Sequence, residues 1–162
     1  MRTIDNIDYR IAVIRQQRLM NTALTGFISE ADEAMIKKIQ ANNGLEQSGT
    51  VDLKTFEAIK LYNEERELDA AAERLFGRDF KGLSEGGYGQ TVQRLNLSLS
   101  YIIDGLGLRI RRPHGMFYGR VTSDAVRELR RIFAMSPEGG ADARFLCRLK
   151  NEEMAIDRRL KK

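Results

Sequence analysis

The sequence predicts an all-α protein, and three observations predict it. Apolar residues recur at helical spacing, Asp and Gly stand where caps and turns belong, and no alternating run of β-branched residues is long enough for a sheet. With 162 residues, 42% apolar, 31% charged and only 2 prolines, the chain has the composition of a folded protein rather than a disordered one. That length suits one ordinary domain or two small ones, and halves of this size are marginal alone because each buries only about 60% of its unfolded surface.

The first helix follows Asp8 as its N-cap and carries Ile11, Ile14, Arg18 and Leu19. A second runs from about Asp32 to Asn42 with Met35, Ile36 and Ile39 on one face, and Gly44 closes it in a left-handed conformation. A third opens at Asp52 and carries Phe56, Ile59 and Tyr62. Helix-forming composition continues from Glu64 to about Phe76, extending that third helix, and Gly77, Gly82, Gly86, Gly87 and Gly89 read as a flexible turn.

A shift of ninety residues reveals an internal repeat. It sets Phe27 on Phe117, Ile36 on Val126, Ile39 on Leu129 and Leu45 on Met135. Gly49 then meets Gly139, Asp52 meets Asp142, Phe56 meets Leu146 and Ile59 meets Leu149. Only four of the thirty-five columns from Gly26 to Lys60 are identical, so the argument rests on apolar, turn and cap positions coinciding. The first helices match at an offset nine residues shorter, Ile11 with Val92 and Ile14 with Leu95. The second copy therefore has the longer loop, around Leu106 to Gly115. The expected organisation is a first repeat at 8–63, a partly helical, Gly-rich linker at 64–85 and a second repeat at 86–155.

One Cys and one His exclude much chemistry. Cys147 has no partner for a disulfide, and two residues fall short of the four Cys or His ligands of a structural zinc site. Cys147 reads as a helical thiol beside Leu146 and Leu149, and His114 as a surface-loop residue. No nucleophile signature, HExxH or phosphate-loop spacing occurs. The acidic pairs Glu64–Glu65 and Glu152–Glu153 read as solvated faces. No catalytic residue, metal or cofactor is expected. No apolar stretch reaches membrane-spanning length, and Met1 to Tyr9 lacks the basic-then-apolar order of an export signal. The net charge of +4 is uneven: residues 64–90 carry −3 and residues 91–162 carry +7, mostly as arginine. That surplus favours an anionic partner for the C-terminal part.

The repeat resembles the peptidoglycan-binding domain family, three-helix modules appended to bacterial and phage cell-wall hydrolases. In copy two the resemblance is carried by Gly89, Val92, Leu95, Asn96, Leu99, Gly119, Thr122, Ala125, Val126, Leu129, Gly139 and Asp142. In copy one it is carried by Ile36, Ile39, Gln40, Gly44, Leu45, Gly49, Val51, Asp52 and Thr55. Several positions depart from the family pattern. Asn96 and Arg15 replace the first-helix glutamine, Arg130 replaces the second glutamine, Phe145 replaces the threonine, and Ala134–Met135 stand where the family prefers Gly-Leu. The resemblance implies two tandem three-helix orthogonal bundles and non-catalytic binding of wall glycan or its stem peptides. It also implies a wall-associated location outside the membrane, with the chain a piece of a larger secreted or phage-encoded protein that carries a catalytic domain elsewhere.

The candidate ligand-binding residues cluster in the long loop of copy two: Arg109, Arg111, Arg112 and His114, followed by Tyr118 and Arg120, with Tyr101 on the preceding helix. Arginine forks pair bidentately with carboxylates, which stem peptides and muramic-acid ethers supply. Tyr101 or Tyr118 would offer a sugar an apolar face and a hydroxyl. Phe117 reads as core, because it aligns with Phe27. Two alternatives stand beside wall binding. One is a protein-interaction or phage structural scaffold using an apolar seam. The other is nucleic-acid binding through Arg127, Arg130 and Arg131, although Asp124 and Glu128 interleave that basic line.

Overall fold

The computed structural model describes Gln17, Arg18, Met20 and residues 28–161. Gln17, Arg18 and Met20 are helical; the rest of the expected first helix, with Asp8, Ile11, Ile14, Arg15 and Leu19, lies outside the described residues, as does the loop 21–27 with Phe27. Every regular element among the described residues is a helix, so the chain is all-α. The helices are α1 Glu30–Asn42, α2 Leu53–Phe76, α3 Gln90–Gly105, α4 Arg120–Ile132 and α5 Ala143–Leu160, with a 3-10 turn at Arg78–Gly82. None of the described helices is long and apolar enough to cross a membrane. The chain divides into two compact units, Met1–Arg66 and Glu67–Lys162.

In the first unit, α1 opens on a capping box. The Ser29 hydroxyl accepts from the Asp32 N–H at 3.2 Å, and the Asp32 carboxylate accepts from the Ser29 N–H at 3.0 Å. Gln17 Nε2 donates to the same buried carboxylate at 2.9 Å. α1 ends in a Schellman motif: Leu45 N–H donates to the Gln40 carbonyl at 2.9 Å and Gly44 N–H to the Ala41 carbonyl at 3.1 Å, with Gly44 at φ +65°. Asp52 caps α2 by accepting from the Thr55 N–H at 2.8 Å. The Thr55 hydroxyl and amide together hold the Asp52 carboxyl below its usual range. Buried Gln40 ties the intervening turn down. Its amide donates to Thr50 O at 2.9 Å and Thr55 Oγ1 at 3.1 Å, and its carbonyl accepts from Gly49 N–H at 3.0 Å. Met20, Ile36, Ile39, Ala58 and Ile59 form the core. Phe56, expected on the apolar face of α2, is instead exposed. Thr55, drawn in by Gln40, sets the inward face at Thr55, Ala58 and Ile59 and turns Phe56 one position off it.

The second unit repeats these devices ninety positions on. α4 and α5 start at Arg120 and Ala143 where α1 and α2 start at Glu30 and Leu53. Asp142 accepts from the Phe145 N–H at 2.8 Å, and Met135 N–H donates to the Arg130 carbonyl at 2.8 Å. The left-handed position is filled by Ala134 at φ 57°, a Cβ-bearing residue that costs about 1 kcal/mol there. Thr122 Oγ1 donates to Asn96 Oδ1 at 2.9 Å, as Gln17 bonds Asp32. The amide of copy one that acts like Asn96 is therefore Gln17, two positions beyond Arg15.

The segment read as a linker is where structure and expectation differ. α2 does run to Phe76, as its composition indicates, but the second unit begins at Glu67. Leu68, Ala72, Phe76, Phe80 and Leu83 pack into the core of the second unit with Leu95, Leu99, Ile102, Leu129, Phe145 and Leu149. The glycines after Phe76 bound an ordered 3-10 turn, with Gly77 at φ +101°. At the other end of α3, a Cβ on Gly105 would stand 2.6 Å from Ile156 Cδ1, so glycine permits α3 and α5 to close together.

Candidate functional site

The loop between α3 and α4 is long, yet it is fastened from beneath. Asn96, 1% exposed on α3, donates its amide to the Gly115 carbonyl at 3.0 Å and reaches the His114 and Phe117 carbonyls at 3.4 Å. One turn on, Ser100 Oγ donates to the Pro113 carbonyl at 2.6 Å. Gly86 and Gly89 N–H donate to the Tyr118 and Met116 carbonyls at 2.8 and 2.9 Å, and Tyr118 N–H donates to the Gly87 carbonyl at 2.8 Å. These bonds make a short ribbon whose single antiparallel bridge pairs Tyr88 with Phe117.

On this frame Arg109, Arg111, Arg112 and His114 are all exposed. Arg112 pairs with Asp104 at 2.5 Å, and Arg120 stands 3.9 Å from Asp124 on the first turn of α4. Arg109 and Arg111 have no ion-pair partner among the described residues, so two guanidinium groups face solvent beside one that is neutralised. The loop thus brings together Arg109, Arg111, Arg112 and His114.

Two expected members do not join them. Tyr118 is 3% exposed and belongs to the core of the second unit, so it cannot offer its ring to a sugar. Tyr101 lies on another flank of α3, where its hydroxyl donates to Asp157 and it lines a cleft with Leu97, Lys150 and Glu153. That hydrogen bond, to an acceptor that prefers the phenol protonated, raises the Tyr101 pKa. Phe117, expected in the core, is 56% exposed, and Tyr88 beside it is 75% exposed. The reason is local: neighbours along extended backbone face opposite ways, so burial of Tyr118 turns Phe117 outward. The sequence signal for Tyr88 is its place between Gly87 and Gly89, which free the backbone to pair.

Burial pushes the Tyr118 phenol up to about 12, with the Glu85 carboxylate adding to the effect. An unfolded tyrosine ionises near 10, so above that pH the unfolded chain loses this proton before the native chain does. The associated stability is fully present below pH 10 and declines as pH rises toward 12. Urea unfolding is therefore expected to show Tyr118→Phe escaping about 2 kcal/mol of the alkaline loss seen in the parent. Equal losses in both proteins would contradict this.

Other side chains resolve into structural roles. Cys147 Sγ donates to the Leu68 carbonyl at 3.6 Å, and burial raises its pKa against the pull of Arg74, which keeps the thiol protonated. Glu152 and Glu153, expected on a solvated face, are half-buried and paired with Arg148 and Lys150. Arg130 is buried: it donates to the Ser136 carbonyl, to the Gly140 carbonyl at 2.8 Å and to Asp142 Oδ2 at 3.0 Å. Among the described residues no group of three or more His, Cys, Asp or Glu is placed to hold a metal ion.

Fold and site together define an all-α chain whose second unit displays a fastened cationic loop edged by exposed aromatics. No protein-family model, curated protein or solved structure matches the chain.

Proposed function

We propose that the chain is a non-catalytic cell-wall binding module, two tandem three-helix bundles whose second copy binds anionic groups of peptidoglycan. The observation that carries this reading is the loop: Asn96 and Ser100 fasten its backbone while Arg109 and Arg111 stay exposed and unpaired among the described residues. A loop ordered before binding loses little conformational entropy when it meets its ligand. Two free guanidinium forks suit stem-peptide and muramic-acid carboxylates. Support for the tandem bundle comes from the caps and Schellman turns that recur at an offset of ninety residues. On this reading the module acts outside the membrane, at the wall, and targets a catalytic domain carried elsewhere in a longer chain.

The same geometry weakens the nucleic-acid alternative. Arg127 pairs with Asp124 at 3.2 Å, Arg131 pairs with Glu128, and Arg130 is buried, so α4 does not present a free basic line. Arg109→Gln with Arg111→Gln is expected to lower retention on insoluble peptidoglycan about tenfold at low salt, since two charge-assisted contacts are lost. The melting temperature should stay unchanged because neither side chain supports the core. Full retention by this variant would remove the arginine loop from the account.

A further inference from the structure

The second unit also carries a groove that the arginine loop does not use, between the end of α2, one flank of α3 and α5. Its volume is about 590 Å³. Buried Phe76 and Ser98 form its floor, while Leu75, Leu97 and Tyr101 stand exposed along its rim, Leu97 by 65%. Exposed Met154 continues the apolar surface on α5, one turn from both Lys150 and Asp157 of the lining. Large apolar side chains gathered in this way at a solvent face mark an interaction surface. Most polar groups of the lining are already committed: Lys150 pairs with Glu153, and Asp157 accepts from the Tyr101 hydroxyl. Apolar and aromatic side chains edged by satisfied polar groups suit a protein interface better than a small polar ligand.

The charges of this groove have a polarity. Arg94 lies at the end beside Phe76, whose carbonyl it meets at 3.4 Å, and it has no ion-pair partner among the described residues. Asp157 lies at the other end beside Tyr101, about two turns of α3 further on. A surface with a cation at one end, an anion at the other and apolar side chains between is complementary to its own copy turned by a two-fold rotation. With the axis beside Leu97 and Ser98, two α3 helices run antiparallel, and Arg94 of each copy faces the Tyr101–Asp157 pair of the other. The Asp157 carboxylate keeps lone pairs for that guanidinium after accepting from Tyr101. Leu97 of each copy then stands over the groove of the other, a projecting side chain set into an apolar recess.

We infer that this groove is the contact face of a two-fold symmetric homodimer, with a second copy of the chain as its occupant. Each arginine loop follows the C-terminal end of its α3, so the antiparallel arrangement sets the two loops at opposite ends of the paired helices. A polymeric anion can then engage both at once, and this consequence alone rests on the wall-binding reading.

Sedimentation velocity of the full chain from low to high micromolar concentration tests this. The parent is expected to shift from the mass of one chain towards twice that mass. Leu97→Glu, which brings a like charge from each copy to the axis, is expected to stay monomeric. Its melting temperature at low concentration should match the parent's, because the site is exposed. Arg94→Glu and Asp157→Arg are each expected to weaken association about tenfold, and the two combined to restore most of it by recreating the pair with its signs exchanged. A parent that stays monomeric would overturn the dimer and leave the groove to a different protein. Association of Leu97→Glu equal to the parent's, or charge reversals no stronger together than apart, would overturn it too. Sacculi retained by a monomeric parent would sink the dimer and leave wall binding standing. A dimer that ignores sacculi would do the reverse.

Discussion

Asn96→Ala is expected to destabilise the second unit by about 3 kcal/mol and lower its melting temperature by roughly 10–20 °C. Asn96 is almost wholly buried, and its one side chain serves two neighbours. The amide holds the Gly115 carbonyl, and the carbonyl receives the Thr122 hydroxyl. Alanine orphans both partners where little water can replace the amide, and such groups cost about 1–3 kcal/mol each. Asn96→Asp is a sharper probe, because the carboxylate still accepts from Thr122 but turns repulsion toward the Gly115 carbonyl. Thermal unfolding followed by circular dichroism reads the loss. Because the amide also fastens the loop backbone, Asn96→Ala should weaken wall retention at temperatures where the unit is still folded. A melting temperature within a few degrees of the parent would contradict the anchoring role.

The second large effect is expected at Arg130. Arg130→Met keeps an apolar stem of similar length over the Phe145 ring, which the guanidinium covers at 5.9 Å. It removes every bond to the Ser136 and Gly140 carbonyls and to Asp142. The expected cost is about 3 kcal/mol, from two carbonyls left without partners and an ion pair lost. Asp142 is half exposed and can turn to water, so the penalty falls mainly on the turn between α4 and α5. Gly139 is coupled to the same site: a Cβ on it would stand 2.1 Å from Arg130 Nη2. Gly139→Ala combined with Arg130→Met should cost less than the sum of the two, because the shorter head vacates the space the Cβ needs. Strict additivity would contradict this packing.

The ninety-residue repeat was legible because caps and helix-closing turns have local signatures. Asp52 and Asp142, and Gly44 and Ala134, occupy matching backbone positions in the structure. The cationic loop was legible for a similar reason: Arg109, Arg111 and Arg112 are close in sequence, and exposure is the ordinary fate of arginine. Arg130 escaped because arginine is seldom buried and, apart from Asp142, its partners are backbone carbonyls, which leave no trace in residue identity. Phe117 and Tyr118 were exchanged because they are adjacent, and a shift of one residue along extended backbone swaps the buried face for the solvent face. Residues 64–85 read as a linker in the sequence because the glycines draw attention from Leu68, Ala72, Phe76, Phe80 and Leu83, whose partners lie far along the chain. In copy one Gln17, two positions beyond the residue that the repeat sets on Asn96, bonds the Asp32 carboxylate where Asn96 bonds the Thr122 hydroxyl.

Sedimentation of the purified chain with insoluble peptidoglycan sacculi is the decisive measurement for the proposed wall binding. Saturable retention is expected at low salt, weakening as salt screens the guanidinium contacts, with no matching retention on DNA-cellulose. Absence of retention on sacculi at either salt would contradict it.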